Sequence, residues 1–300
     1  MGKQHDGPQD HTEVDGGKGH EGPEERLGRR FRDEFRVRPG HDVDLGALDP
    51  GQTFGLTKHE AKPLLKDSVQ RLRDQQTRLW ANGQSGQAPA ILIVLQGMDT
   101  AGKDGTIKHV FQGLNPSGTR VASFKVPTAK ELAHDYLWRV HRVVPARGEI
   151  CIFNRSHYED VLVVRVHGLV PAPVWRRRYA EIEAFERLLT DSGTRIAKFF
   201  LHISREEQRE RLEARLARPE KRWKFKKGDL AERARWDDYA AAYRDTLMKC
   251  STDNAPWYVV PADHKWFRNL VVGEIIAALL EDQKLGWPAG EPGLDSLKIS

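Results

Sequence analysis

Two carboxylates and a lysine share one glycine-punctuated stretch, Gly97-Met98-Asp99-Thr100-Ala101-Gly102-Lys103-Asp104-Gly105. The spacing Gly97, four residues, Gly102, Lys103 is that of a loop that cradles phosphate. Glycines at 97, 102 and 105 let the backbone curl until successive N–H groups face one anion, a shape that a Cβ obstructs. Lys103 adds a mobile positive charge, and the start of the following helix adds a favourable dipole. Loops of this kind commonly carry Ser or Thr after the lysine to hold magnesium; here that position is Asp104. Asp99 and Asp104 would repel phosphate unless a divalent cation lay between. Their hard oxygens suit Mg²⁺, which keeps several waters and shares its other positions with phosphate oxygens. Each aspartate alone also reads as a turn former or helix-start residue. Beside Lys103, the two together point to a magnesium site.

Two further stretches carry suitable chemistry. In EICIFNRSHYED (149–160) an apolar strand ends in Asn154-Arg155, at the carboxyl edge where parallel α/β sheets bind ligands. The planar fork of Arg155 matches two phosphate oxygens. Asn154 stands where many phosphate-loop enzymes place an Asp for magnesium or its waters. The segment 217–228 contains Arg218, Lys221, Arg222, Lys224, Lys226 and Lys227 against one acid, Glu220. With Pro219 and Gly228 as punctuation, it reads as a mobile basic lid over phosphates. It also reads as a solvated loop, or as a nucleic-acid patch with Trp223 and Phe225 as stacking residues. Lys125 and the run Arg139, His141, Arg142 extend the same positive field, and Lys125 and Arg139 are candidate nucleotide contacts.

The elements that must position these residues follow from hydrophobic patterning. Short apolar strands are expected at 90–96, 121–124, 149–153, 196–203 and 257–260. Helical patterns lie between them near 103–113, 129–143, 174–191 and 205–216, with a last helix over about 266–283. An earlier helix starts at a Thr57/Glu60 capping box, shows Leu65, Val69, Leu72 and Leu79 on one face and ends near Asn82-Gly83. Ser204 with Glu207 caps another. Strands alternating with helices predict an α/β fold, a parallel sheet flanked by helices.

A 300-residue chain with 39% hydrophobic and 30% charged residues fits a globular protein with an ample core. No apolar run reaches membrane-spanning length and the N-terminus lacks a signal-peptide stretch, so a cytoplasmic protein is expected. Two cysteines, Cys151 and Cys250, give no disulfide framework. Residues 1–30 are expected to form a disordered tail, 31–288 one domain with its lid at about 205–235, and 289–300 a C-terminal tail.

Over about residues 32–288 the chain resembles the family-2 polyphosphate kinases. The resemblance is carried by GMDTAGKDGTIKHV, SFKVPTAKELAHDYLWRVH, FNRSHYEDVLVVRV, RPEKRWKFKKGDLAERARWDDY and WYVVPADHKWFRN. It implies a phosphate-loop kinase fold similar to thymidylate kinase, with a helical lid. It also implies Mg²⁺-dependent, reversible phosphoryl transfer between inorganic polyphosphate and nucleotides, and a homo-oligomer with no membrane or specific nucleic-acid partner. Under it, Asp99 is tied to metal and phosphate positioning and Lys103 binds phosphate. Arg215, Arg218, Lys221 and Lys224 then lie near the polyphosphate. Asn154, where one branch carries Asp, and Glu159 close behind resemble the class III branch, associated with both AMP and ADP as acceptors and ATP as the end product. Glu159 would hold a second cation, orient Arg155 or contact the nucleotide. Two other function classes fit the same residues: an ATP-dependent nucleotide kinase, and a nucleic-acid-binding protein using the basic segment.

Overall fold

Seven consecutive residues with no solvent-facing side, Ala90–Gln96, make the central strand β1. A strand apolar on both faces needs cover on both faces, and the flanking helices supply it. The computed structural model describes residues 23–226 and 228–294. Before β1 lie α1 (Pro23–Phe35) and α2 (Lys58–Gly83). After it come α3 (Lys103–Val110), β2 (Thr119–Ser123), α4 (Ala129–Leu132), α5 (Trp138–His141) and β3 (Ile150–Asn154). Then follow α6 (Val163–Val166), α7 (Ala172–Asp191), β4 (Thr194–His202), α8 (Arg205–Ala217), α9 (Gly228–Ala234) and α10 (Trp236–Cys250). β5 (Trp257–Pro261) and α11 (Lys265–Glu281) complete the order.

The five strands form one parallel sheet in the order β2-β3-β1-β4-β5. The chain leaves β1 toward one edge and returns after β3 to the other. The ends of β1 and β3 therefore flank a topological switch point, where the crevice of an open α/β sheet lies. Register completes the arrangement: Leu95 lies opposite Asn154, so β3 ends beside the start of the glycine loop.

All five expected strands are present. The Thr57/Glu60 capping box forms as its spacing requires: Thr57 Oγ1 accepts from Glu60 N, and Glu60 Oε2 accepts from Thr57 N at 2.9 Å. Ser204 Oγ accepts from Glu207 N at 3.0 Å, but Ser204 N donates to Asp263 instead, leaving Glu207 to pair with Arg211.

Three expectations need correction. The stretch 129–143 is not one helix: the Asp135 carboxylate accepts from Leu137 N at 2.9 Å, a local turn that separates α4 from α5. The helix expected over 103–113 ends at Val110, and Gly113 then turns with φ +76°. Within the stretch expected as a tail, residues 23–30 belong to α1. That helix has a reason to exist, because Phe31 and Phe35 pack edge-on or tilted against Phe54 and Phe267 in a four-ring cluster. Residues 1–22, Lys227 and 295–300 lie outside the described residues, and with them the rest of both expected tails.

Candidate active site

β1 delivers the chain into Gly97, whose φ of +156° and close approach to the neighbouring strand β4 leave no space for a side chain: a Cβ there would sit 2.8 Å from Leu201 O. Gly97 N donates to Tyr243 Oη at 3.2 Å, which fixes the first turn of the loop. Lys103 opens α3 and folds back over the loop, donating to Gly97 O at 2.8 Å and Met98 O at 3.4 Å. Burial and the neighbouring Arg155 guanidinium push its ammonium down to about 8.

Facing the loop, Arg155 begins the segment after β3. Its φ of +61° is unusual for a residue with a side chain. The strained backbone is held by Arg155 N donating to Leu95 O at 3.1 Å. Its guanidinium pairs with Glu159 at 3.6 Å, and Glu159 accepts from Gln96 Nε2 at 3.1 Å. Glu159 thus ties Arg155 to the end of β1. A deeper anchor lies behind: Tyr158 Oη donates to Glu186 at 2.8 Å and accepts from Lys198 at 2.9 Å, while Lys198 and Glu186 form a fully buried ion pair. Asn154 Nδ2 donates to Asp104 Oδ1 at 2.8 Å. A carboxylate in place of this amide would meet Asp104 as a like charge, so the neutral residue removes a repulsion that only a cation or a proton would otherwise relieve.

The basic segment is a cap built from α8, a tight helical turn over Pro219–Lys224 and α9. Two of its cations face the two loop carboxylates, Arg215 to Asp99 at 3.6 Å and Lys224 to Asp104 at 3.8 Å. Arg218 and Lys221 are exposed. Loop, β3 edge and cap therefore converge, bringing together Gly97, Asp99, Gly102, Lys103, Asp104, Gly105, Asn154, Arg155, Glu159, Arg215 and Lys224. Arg139 behaves differently from the expectation of a nucleotide contact. It is buried, stacks over Phe124, donates to Lys125 O at 2.9 Å and lies 3.6 Å from Asp160. The guanidinium is a strut under the Lys125 loop, whereas Lys125 itself is exposed.

Several residues at the site escape the sequence reading. Gln208 donates to Asp99 O at 3.0 Å, and Arg211 donates to Thr100 O and Ala101 O at 2.9 and 3.1 Å. Trp236, Tyr239 and Tyr243, all on α10, join Asp99, Arg155 and Glu159 in lining a cavity of about 260 Å³ beside the loop. The apolar spacing of 236, 239, 243 and 247 is the signal that would have placed this helix. A larger cavity of about 450 Å³ lies away from the loop. It is lined by two closed ion pairs, Arg244 with Asp42 and Arg165 with Asp245, and by no residue of the glycine loop, so the smaller cavity is the candidate site.

The donor set fits magnesium. Asp99 and Asp104 are partly exposed, at 33% and 72% of their side chains, and neither is locked in a close ion pair. Among the described residues no group of three or more His, Cys, Asp or Glu could hold a metal alone. A cation here would complete its coordination with water and substrate oxygens, as Mg²⁺ characteristically does.

Residues 56–286 match the model of the family described as Polyphosphate kinase 2 (PPK2). This chain belongs to that family. A relative from Meiothermus ruber, named AMP/ADP-polyphosphate phosphotransferase, is 52% identical over 268 residues, covering 89% of this chain and 99% of the relative. The ADP-polyphosphate phosphotransferase of Rhodopseudomonas palustris is 46% identical over 275 residues, covering 86% and 93%. The crystal structure of Polyphosphate Kinase 2 from Arthrobacter aurescens superposes with a TM-score of 0.83 at 45% identity, covering 87% of this chain and 93% of that one.

Proposed function

We propose that this chain transfers a phosphoryl group from inorganic polyphosphate to AMP and ADP, reversibly, with Mg²⁺ as cofactor and ATP as the end product. The observation that carries the reading is the cap: Arg215 and Lys224 reach the two loop carboxylates that flank Lys103. The names of the relatives support it, one for AMP and ADP and one for ADP. The same reading places the enzyme in the cytoplasm, where nucleotides are held, and as a homo-oligomer. No helix among the described residues is long and apolar enough to cross a membrane.

Phosphoryl transfer asks for in-line positioning and neutralised charge rather than covalent chemistry by the protein. Lys103 exchanges the carbonyls of Gly97 and Met98 for a phosphate oxygen. Arg155, oriented by Glu159, binds a second phosphate with its fork. The cap cations swing from the aspartates onto the polyphosphate as it enters, excluding water from the transfer point. Asp99 and Asp104 would hold magnesium, which when bound would supply neutralisation of the charge that builds up during transfer. The acceptor oxygen is already ionised, so the site needs no general base.

The test is donor choice. With Mg²⁺ and either AMP or ADP, polyphosphate supports formation of ADP or ATP, and an ATP-donor control run with AMP lags far behind. An enzyme that works with ATP and ignores polyphosphate is an ordinary nucleotide kinase. Binding to oligonucleotides with no transfer at all would favour the nucleic-acid reading.

The cap makes a separate prediction. Lys221→Ala with Lys224→Ala raises KM for polyphosphate several-fold more than KM for nucleotide, because a polyanion meets many cations at once. The wild-type polyphosphate KM also climbs steeply with salt, and the double variant flattens that slope. Equal changes for both substrates would place the polyphosphate elsewhere.

A further inference from the structure

Arg268, in the first turns of α11, is 2% exposed and lies directly behind the phosphate loop. Nη1 donates to Ala101 O at 3.0 Å, while Nε and Nη2 donate to Asn269 Oδ1 at 3.2 and 2.8 Å. Its neighbour Arg211 shares Ala101 O and has a counter-charge, Glu207 at 2.6 Å. Arg268 has no carboxylate within ion-pair distance among the described residues, and the charge that bears on it most is Arg211, a second cation. Burial and that repulsion push its guanidinium down to about 9. Lys265 is lowered as well, by burial and by Arg211, Arg268 and Lys221, with Glu207 opposing. The ground behind the loop is therefore net positive. A buried charge without a counter-ion is costly, and structures retain one where something supplies the missing partner.

The loop is shaped around this side chain. Gly102 has φ +108°, and a Cβ on it would lie 1.8 Å from Arg268 Nη1. Gly105 is also close, with 3.2 Å from its would-be Cβ to Nη2. The glycine that a phosphate-loop pattern demands at 102 is thus required here by the guanidinium behind it. The Ala101 carbonyl belongs to the same peptide as the Gly102 N–H, so charged donors on that oxygen polarise the N–H on the loop's other face.

We propose that Arg268 is a positioning residue for phosphate: it sets the loop's shape through Ala101 O and Gly102, and its buried charge is offset by the anion bound on the loop's opposite face. The inference rests on the reading that the loop binds phosphate, and its test separates the two. The full-length chain and its Arg268→Gln and Arg268→Lys variants are compared by the thermal shift that tripolyphosphate with Mg²⁺ produces, and by kcat and KM for polyphosphate. The wild-type chain gains Tm with tripolyphosphate; no gain at all would overturn the phosphate reading itself. Arg268→Gln keeps a donor but loses the charge, so its tripolyphosphate shift falls below half of wild type and KM for polyphosphate rises about tenfold. Arg268→Lys keeps the charge and loses the fork, so it restores most of the shift while kcat stays reduced. A purely structural role would lower the Tm of the free protein but leave KM and the tripolyphosphate shift at wild-type values, and that result in Arg268→Gln overturns the proposal. If Arg268→Gln does not fold, Arg268→Lys decides alone, and wild-type kcat together with a tripolyphosphate shift lost entirely contradicts it.

Discussion

Lys103→Ala lowers polyphosphate-dependent turnover by about 100-fold or more, the scale of removing one preorganised electrostatic group, while the protein stays folded. The hydrogen bonds of its ammonium go to the carbonyls of Gly97 and Met98, and the lysine is not one of the core residues, so the loss lies in chemistry rather than stability. Far-UV circular dichroism and Tm separate the two. The same residue sets a pH dependence. Its ammonium, lowered to about 8, is charged below that pH and neutral above it. The kcat/KM for polyphosphate, which reports the free enzyme, therefore falls as pH rises through about 8. Bound phosphate favours the charged form, so kcat holds to higher pH than kcat/KM. Lys103→Arg removes this ionisation, and in whatever activity it retains the alkaline decline moves upward. An alkaline limb that stays in place in Lys103→Arg would assign the ionisation to another group. A folded Lys103→Ala enzyme with near-normal turnover would remove Lys103 from the mechanism.

Asp99→Asn loses activity by about 10- to 100-fold, with part of it recovered at high Mg²⁺, because the variant weakens the hold on the cation rather than the phosphate cradle. Two contacts make the outcome specific. Arg215 lies 3.6 Å from the Asp99 carboxylate, and Gln208 holds the Asp99 carbonyl, so the backbone stays in place when the charge is removed. Titration of activity against Mg²⁺ reads the effect as a rightward shift of the half-saturating concentration. Unchanged activity and an unchanged Mg²⁺ curve would take Asp99 out of the metal site.

What could be read in advance was local. β1 and the loop from Gly97 to Gly105 are consecutive residues whose spacing states their own geometry, and the strand pattern required a parallel sheet. The same holds for Asn154-Arg155, because a strand's carboxyl end is visible in its sequence. The supports of the site were not legible in this way. Arg268 meets Ala101 across 167 positions of sequence, and Arg211 meets Thr100 across 111. No local pattern marks an arginine that will be buried behind a loop. Arg139 was misjudged for the converse reason. A basic residue near other basic residues suggests an open field, but the fold sends its guanidinium inward to Lys125 O and Asp160. Helix α10 failed for a third reason: its regular spacing lay in the shadow of the charged segment before it, and with it Tyr239 and Tyr243 were missed.

Polyphosphate as donor and AMP as first acceptor form the central claim. Asn154 bears on it directly. By donating to Asp104 it sets a neutral amide rather than a further carboxylate at the end of β3, and on the proposed reading this lets acceptor phosphates sit at more than one depth. The most direct measurement is a time course from AMP, polyphosphate and Mg²⁺, with an adenylate kinase inhibitor present and nucleotides separated by chromatography. ADP should rise first and then decline as ATP accumulates, with no ATP added at the start. AMP left untouched while ADP supplied separately is converted briskly would contradict the two-acceptor account.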